Sequence, residues 1–362
     1  MSRQAEPPRA AVLAVGMTTP VGLGARASAA AVRAGITRIR TSTIHLRAWE
    51  GQRMGLVEEE HLHPLSPEVE EMTRGCPDRH RRMLQLATLA FREASATLKP
   101  PAPPPLLLAL PETPASGVEA LGPDFLSHLA RQTGVAFDVR RSQLFRQGRA
   151  GGLLALQRGL ELLAARQAEY VYVGGVDTYL DLRMLIGLER EKRLLTPAST
   201  EGFIPGEGAA FLLLGLPRTA KDAGMEVLAH VLGVGTGSEE GHLYSERPHL
   251  GDGLADSLRA LFAGLPPKLP RVETVYAGMN GERLWGREWG VAYLRNAEHL
   301  QENPRMEHPV EFIGDPGAAL GTLMAGLAAI GLQKGYRQGP CLLWCGSDRA
   351  ERAAALLHST AS

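Results

Sequence analysis

Two short stretches of the chain contain residues of the kinds that hold cofactors or metals. Residues 233–237, GVGTG, follow a predicted strand as a dinucleotide-binding loop does, but they lack the third spaced glycine that opens a helix. We interpret them as a strand exit. In a second, polar stretch, carboxylates and imidazoles that could ligate a metal cluster at Glu58, Glu59, Glu60, His61 and His63. We interpret this stretch as solvated surface, and no cofactor and no metal are predicted.

A third stretch offers the groups of a polar pocket. Asn280, Gly281 and Glu282 are followed by Glu288 and Trp289, which together supply amide, carboxylate and indole groups. Asn-Gly is first of all a turn signal. The sequence therefore leaves open whether these side chains line a pocket or only accompany a turn.

The composition is that of a globular protein without a strong electric field. The chain has 362 residues, 44% apolar and 22% charged, a length that suits two packed halves. Lys plus Arg and Asp plus Glu each number 39, so neither nucleic acid nor a membrane is an expected partner. Three cysteines cannot form a disulfide framework, which indicates a reducing compartment, and we predict the cytoplasm. A long uncharged stretch, residues 317–332, is shorter than the roughly 20 residues that cross a bilayer.

Strand-like and helix-like segments alternate along the chain, which is typical of a layered α/β protein. Apolar runs predict strands at residues 11–15, 106–110, 170–173, 227–234, 272–277 and 341–345. Helical spacing predicts helices at residues 25–34, 79–96, 151–165, 254–262 and 317–332. Residues 40–67 are polar and irregular, and their sequence predicts no regular element.

Three strings, in order along the chain, resemble the motifs of one enzyme family. Residues 11–24, AVLAVGMTTPVGLG, are similar to an opening strand followed by Gly-Met and Pro-x-Gly. Residues 168–177, AEYVYVGGVD, resemble a strand that ends in Gly-Gly-x-Glu/Asp. Residues 202–210, GFIPGEGAA, resemble the block Gly-Phe-x-x-Gly-Glu-Gly-Ala. The family is that of the β-ketoacyl synthases, in the thiolase-like superfamily, which act in fatty acid or polyketide biosynthesis.

The resemblance implies a thiolase-like fold with α-β-α-β-α layering. Two pseudo-symmetric halves are expected at residues 10–217 and 226–357. A dimer is also implied, formed by antiparallel pairing of the strand at residues 170–173, because this run is too apolar to be left as an exposed edge. The expected partners are a second copy or an active ketosynthase, and an acyl carrier protein.

The positions of the family's catalytic residues hold other residue types here. Counting back without gaps from the Gly-Gly of the second string, the nucleophilic cysteine at the start of a buried helix falls on Arg149. No Cys, Ser or Thr occurs at residues 143–163. The two catalytic histidines fall on Gly278 and Asp315. A guanidinium has no nucleophilic lone pair, so we predict that the residues of the condensation reaction are absent.

Two functions remain open on this basis. In the first, the chain is a catalytically degenerate ketosynthase homologue, either a non-condensing dimer subunit or a module that binds an acyl group, a carrier protein or another protein. In the second, it is a divergent acyltransferase of the thiolase superfamily that uses Cys345 with Asp315 as the base. Thiolases carry a second cysteine near the C-terminus, although a cysteine at the end of a buried strand more often packs as a small apolar residue.

Arg149 and Asp315 are expected to meet, because the nucleophile and the second histidine are in contact in the family fold. A buried guanidinium or carboxylate is costly alone and tolerated in a hydrogen-bonded pair. We therefore predict a salt bridge that closes the former catalytic centre. The alternative is that Arg149 turns to solvent and Asp315 caps the helix that begins near Pro316. The cap and the bridge are compatible with each other.

Overall fold

The computed structural model describes residues 10–47, 50–97, 100, 102–113, 121–122, 124–197, 199, 201–266 and 268–359. The strands in these ranges are mostly apolar and buried. In chain order they are β1 (Ala10–Thr18), β2 (Ile39–Arg47), β3 (Glu50–Gly55), β4 (Leu106–Ala109), β5 (Gln143–Phe145), β6 (Tyr170–Thr178), β7 (Glu207–Gly215), β8 (Ala229–Ser238), β9 (Val272–Ala277), β10 (Leu300–Glu307), β11 (Cys341–Gly346) and β12 (Glu351–His358).

The helices alternate with these strands, as the sequence pattern predicts. In chain order they are α1 (Ala25–Arg33), α2 (Pro67–Met72), α3 (Asp78–Ser95), α4 (Phe125–Thr133), α5 (Gly148–Ala164), α6 (Leu182–Arg190), α7 (Pro217–Asp222), α8 (Asp252–Ala263), α9 (Arg283–Arg295), α10 (Val310–Ile313) and α11 (Leu320–Gln333). A short 3-10 turn, Gly317–Ala319, leads into α11.

Within the described residues, ten strands form one mixed sheet in the order β10-β9-β11-β12-β8-β1-β7-β6-β4-β5. The sheet contains two repeats of five strands, which meet where β1 pairs with β8. In each repeat, two antiparallel pairings (β1-β7-β6 and β8-β12-β11) are followed by two parallel ones (β6-β4-β5 and β11-β9-β10). The two halves therefore share one strand topology, and their sheets are joined rather than separate.

Helices α5 and α11 form the central layer, and each contacts strands of both halves. Helix α11 is apolar all round, with every residue from Leu320 to Leu332 buried, as expected of a helix enclosed on all sides. The two helices approach closely. A Cβ at Gly152 of α5 would lie 2.9 Å from the backbone nitrogen of Thr322 in α11, so this contact requires glycine.

Two outer layers of helices cover the sheet. Helices α3 and α4 cover the N-terminal half, where Phe91 of α3 stacks on Phe211 of β7 with ring centroids 4.6 Å apart. Helices α8 and α9 cover the C-terminal half, where Trp289 stacks on Trp344 of β11 at 5.6 Å. The order of layers is helix, strand, helix, strand, helix. The predicted α-β-α-β-α layering is therefore present.

The strand predicted as the dimer contact is not at an edge of the sheet. Residues 170–173 belong to β6, which pairs with β7 on one side and with β4 on the other. Both hydrogen-bonding edges of β6 are used, so the predicted dimer strand is wrong. Its apolar character has a different cause, because helices bury both of its faces. The edge strand of this half is β5.

Two other sequence interpretations change. The stretch at residues 40–67 contains a hairpin of β2 and β3, which the polar sequence did not indicate. Residues 233–237 lie inside β8, not at a strand exit, so they form no dinucleotide loop. In the second polar stretch, Glu58 pairs with Arg40 and Glu59 with Arg82. Over the described residues, no helix combines the length and apolarity that a membrane crossing requires.

Candidate functional site

The candidate site lies where α5 begins, between the two halves of the sheet. Strand β5 ends at Phe145, and α5 starts at Gly148, whose φ of 48° is in the left-handed region that glycine adopts without strain. Arg149 follows in the first turn of α5 and is only 3% exposed. The structure thus places Arg149 at the start of a buried helix, where the family resemblance expects the nucleophile.

Arg149 and Asp315 form the predicted ion pair. Nε of Arg149 donates to Oδ2 of Asp315 at 2.7 Å, and both side chains are buried. The GFIPGEGAA string positions Asp315, since Ile204 accepts from its N–H and Gly206 donates to its carbonyl. Oδ1 of Asp315 also accepts from the N–H of Gly317, the first residue of the 3-10 turn, so the same carboxylate bonds this turn and Arg149, although Pro316 is the N-cap residue. The salt-bridge prediction is confirmed, and an outward Arg149 is excluded.

A second carboxylate, Asp348, joins this pair to another arginine. Asp348 accepts from Nη1 of Arg149 at 2.7 Å and from Nη1 and Nη2 of Arg193 at 2.8 and 3.0 Å. Arg193 also forms a bidentate pair with Glu282, at 2.7 and 3.0 Å. Burial opposes ionisation of Asp348, but Arg149 and Arg193 outweigh it and hold the pKa of this carboxyl below its usual range. We call these five charged groups the charge network.

Aromatic rings enclose the charge network. The guanidinium carbons of Arg149 and Arg193 lie 5.7 and 5.5 Å from the ring centroid of Phe203, and Arg149 lies 5.6 Å from that of Trp285. The hydroxyl of Tyr179 is 3.5 Å from Nη2 of Arg149. Contacts of this kind stabilise cations at a desolvated site. Arg149 and Arg193 are therefore contacted both by aromatic rings and by carboxylates.

The structure shows which residue near position 278 has a side chain that reaches the site. A Cβ at Gly278 would lie 2.6 Å from the carbonyl oxygen of Trp344, so this position has no room for a side chain. Asn280, two residues further on, donates from Nδ2 to Asp315 at 2.8 Å and to Glu282 at 3.0 Å. It is followed by Gly281, as the family's histidine is followed by glycine. Asn280, not Gly278, is the residue that reaches the site.

The polar stretch at residues 280–289, which the sequence offers as the lining of a pocket, divides into two parts in the structure. Asn280 and Glu282 belong to the candidate site. Glu288 instead pairs with Arg352 at 2.6 Å, and both of these side chains are completely buried. Trp289 packs on Trp344 in the core of the C-terminal half. Only the first part of this stretch can therefore act on a ligand at the start of α5.

Cys345 lies close to the site but is poorly suited to be a nucleophile. It is 0% exposed, and burial, only partly offset by Arg149, raises the pKa of its thiol above the usual range. The reactive form of a cysteine is the thiolate. Asp315, the proposed base, already accepts bonds from Arg149, Asn280 and Gly317. The arrangement is that of a small buried residue beside a carboxylate whose oxygens are both engaged.

One further carboxyl at the site titrates near neutrality. Glu112 follows β4, and its Oε1 accepts from the backbone N–H of Asp348 at 3.0 Å. Burial and the neighbouring Asp348 carboxylate raise the pKa of Glu112 to about 7. Glu112, Arg193 and Asp348 were not identified as site residues from the sequence. They lie in connecting segments without a motif, and the only signal was the position of Asp348 just after an apolar strand.

Two carboxylates in the motif strings, Asp177 of residues 168–177 and Glu207 of residues 202–210, pair with arginines of α3. Arg79 donates to Asp177 at 2.6 Å, and Asp177 also accepts from the N–H of Ala318. Arg82 makes two bonds of 2.7 Å to Glu207. These pairs fix α3 to the sheet, so we assign them a structural role.

Comparisons with known proteins support the fold. No protein-family model and no curated protein matches the chain. Among solved structures, the ketosynthase from module 6 of the bacillaene synthase of Bacillus subtilis superposes with a TM-score of 0.80 at 14% identity, covering 98% of this chain and 72% of that chain. For the ishigamide ketosynthase/chain length factor, the TM-score is 0.76 at 18% identity, with 98% and 99% covered.

A third similar structure is a complex of a type II PKS acyl-carrier protein with its ketosynthase. Its TM-score is 0.74 at 17% identity, and the match covers 98% of this chain and 100% of that chain. The protein therefore has the ketosynthase fold, and the predicted thiolase-like fold class is confirmed.

Proposed function

We propose that this protein is a non-condensing subunit of a dimer of ketosynthase-fold chains. The observation that carries the proposal is the buried guanidinium of Arg149 at the start of α5, paired with Asp315 and Asp348. Condensation of the ketosynthase kind begins when a cysteine at this place takes up the acyl group. Arginine cannot form a thioester, so the reaction has no first step here.

The surroundings of Arg149 oppose the reaction as well. An oxyanion hole requires donors that are aimed at a reacting oxygen and free to bind it. The guanidinium donors of Arg149 are engaged by Asp315 and Asp348, and Asn280 donates to Asp315 and Glu282. An oxyanion placed among these carboxylates would meet like charge. The site is thus arranged for stability and not for charge that develops during acyl transfer.

The free edge of β5 supports a dimer. Among the described residues, β5 pairs with β4 alone and ends the sheet, and Leu144 on it is 37% exposed. An unpaired strand edge is a ready template for a strand of another chain. Two β5 strands that pair across a twofold axis would join the sheets of two subunits. The start of α5 lies three residues beyond this edge, so the partner would bind next to the charge network.

The partner that we propose is an active ketosynthase. The match to the ishigamide ketosynthase/chain length factor spans almost the whole of both chains. The name of that protein gives two components, a ketosynthase and a chain length factor. A dimer of two copies of the present chain would have arginine at both helix starts. A dimer with an active ketosynthase would have one complete site, and an acyl carrier protein would deliver to that site.

The divergent acyltransferase that uses Cys345 and Asp315 is the less favoured function. Its nucleophile is a buried thiol with a raised pKa, and its base is bonded on both oxygens. Acyl transfer by this route would first have to break the pair of Arg149 and Asp315.

Sedimentation and condensation assays test the proposal. We expect that the chain alone does not condense acyl with malonyl substrates. When it is co-expressed with a ketosynthase that retains its Cys-His-His residues, we expect a stable one-to-one complex. Leu144→Lys should abolish the complex, because it places a charge in the joined sheet. Leu294→Lys is the matched control, since Leu294 is 76% exposed on α9. Condensation by the chain alone, or a monomer under both conditions, would refute the proposal.

A further inference from the structure

A second cluster of chemically competent side chains lies between helices α3 and α4, in the outer helical layer of the N-terminal half. Within the described ranges, one group of three or more His, Cys, Asp or Glu side chains has the spacing of a metal site, and it consists of Cys76, His80 and His128. Each offers one ligand atom, and these atoms lie within 4.8 Å of one another. Cys76 precedes α3, His80 lies in its first turn, and His128 lies on α4.

The two imidazoles have nearly the spacing that a shared metal ion requires. Nε2 of His80 and Nδ1 of His128 are 3.0 Å apart. In a tetrahedral zinc site with bonds near 2.0–2.1 Å, two nitrogen ligands are ~3.3 Å apart. The rings are inclined to each other at 72°, so neither blocks the space between the nitrogens by stacking. An ion could bind with small movements of the side chains.

Two observations indicate that the cluster is built to receive a ligand. His80 is completely buried, and the atom that its Nε2 faces is a nitrogen of a second imidazole. A metal ion between two such nitrogens accepts a lone pair from each of them. Gly122 borders the thiol, and a Cβ there would lie 2.6 Å from Sγ of Cys76 and 3.7 Å from Nδ1 of His80. The missing side chain leaves room beside the sulfur.

We propose that Cys76, His80 and His128 bind a divalent transition-metal ion, with Zn²⁺ the best fit. One thiolate and two imidazoles are ligands that zinc prefers, and a water or another group would complete the tetrahedron. Binding releases the thiol proton of Cys76 to solvent and leaves both histidines neutral. The ion would fix the start of α3 to α4. Since α3 also holds Asp177 and Glu207, this clamp would support the sheet that carries the charge network.

The competing explanation is a hydrogen bond between the two histidines beside an inert cysteine. It accounts for the distance of 3.0 Å but gives no role to the thiol of Cys76, which lies within 4.8 Å of the two nitrogens. The two explanations differ in whether the thiol acts together with the imidazoles.

Cobalt and zinc binding to the full-length chain tests the proposal. After treatment with a chelator, the chain should bind one Co²⁺ with thiolate-to-cobalt charge transfer, and Zn²⁺ should displace it. Zinc X-ray absorption should show one sulfur and two imidazole nitrogens as protein ligands. The absence of tight binding, or a ligand shell without sulfur, would overturn the proposal. Both readouts use the wild-type chain, so they do not depend on the folding of a variant.

Variants assign the ligands. Cys76→Ser and His128→Gln should each weaken Co²⁺ binding by at least ~10-fold and abolish the rise in Tm that Zn²⁺ produces in the wild type. Cys341→Ala is the control for loss of a thiol, and His61→Gln is the control for loss of a histidine in the other polar stretch. Both controls should bind as the wild type does. Unchanged affinity in Cys76→Ser, or a loss caused by His61→Gln, would contradict the assignment.

Discussion

Helices α5 and α11 occupy equivalent places in the two halves, yet opposite charges stand at their starts. In chain order, α5 follows the edge strand β5 and precedes the internal strand β6. Helix α11 likewise follows the edge strand β10 and precedes the internal strand β11. Arg149 lies in the first turn of α5, whereas Asp315 precedes the turn that leads into α11. The start of a helix is the positive end of its dipole, so it stabilises Asp315 and destabilises Arg149.

Arg149 is therefore held by contacts with distant parts of the chain and not by the preference of its local backbone. Its two ion-pair partners, Asp315 and Asp348, come from the other half of the chain. The pair of Arg149 and Asp315 therefore joins the starts of the two central helices, and with them the two halves.

Removal of the anion should have the largest effect. Asp315→Ala leaves Arg149 with one carboxylate partner and also removes the acceptor for Asn280 and Gly317. We expect the free energy of unfolding to fall by about 4 kcal/mol, because a buried charge loses its partner. Urea unfolding measures this. Asp256→Ala, which removes an exposed pair with Arg259, is the control and should change stability by less than about 0.5 kcal/mol. Equal losses in the free energy of unfolding for Asp315→Ala and Asp256→Ala would contradict the view that Asp315 is the partner of a buried charge.

Removal of the cation should have a smaller effect. Arg149→Ala leaves Asp348 with Arg193, and it relieves an unfavourable charge at the start of α5. We expect a loss of about 3 kcal/mol, mainly from the stranded Asp315. The double variant with Asp315→Ala should lose at least about 1 kcal/mol less than the sum of the single variants. Strict additivity in this double-mutant cycle would show that the two residues do not act as a pair.

Glu112 provides a pH-dependent test of the α5 side. Its pKa in the folded state is about 7, above the ordinary 4.5, so the folded state binds the proton more tightly than the unfolded state. Glu112 therefore weakens the fold as the pH rises between these two values. Glu112→Gln should be more stable than the wild type by about 3 kcal/mol near pH 8 and nearly equal to it near pH 4.5. Parallel stability profiles over this range would contradict the proposed titration.

Restoring the thiol should have no effect on condensation. Arg149→Cys supplies a nucleophile at the start of α5, but it adds no histidine, and Asn280 and Asp315 remain bonded to each other there. We expect no product in an assay in which an intact ketosynthase is active. Measurable condensation would show that Arg149 alone prevents the reaction.

The sequence could predict the ion pair because Arg149 and Asp315 can be counted from fixed motifs. Gly174 and Gly175 set the position of Arg149, and the Gly-Asp-Pro string sets that of Asp315. No such anchor exists near Gly278, where the count from the motif places the first histidine. The side chain that reaches the site is Asn280, and it is recognisable only from its contact with Asp315.

Contacts between distant parts of the chain could not be predicted. Asp348 meets Arg149 across 199 residues and Arg193 across 155, and neither pair follows a spacing rule. Residues 170–173 were wrongly predicted to pair with a second subunit. An apolar run has the same composition whether it is an internal strand or an edge strand buried in a dimer interface. The cluster of Cys76, His80 and His128 was missed because His128 lies on a separate helix that packs beside α3.

The central claim is that no side chain at the start of α5 takes up an acyl group. The most direct measurement is the intact mass of the wild-type protein after incubation with acyl-CoA and with acyl carrier protein. We predict an unchanged mass under conditions in which an active ketosynthase gains one acyl group. A stable adduct of one acyl group would contradict the claim, and its location on Cys345 would establish the acyltransferase instead.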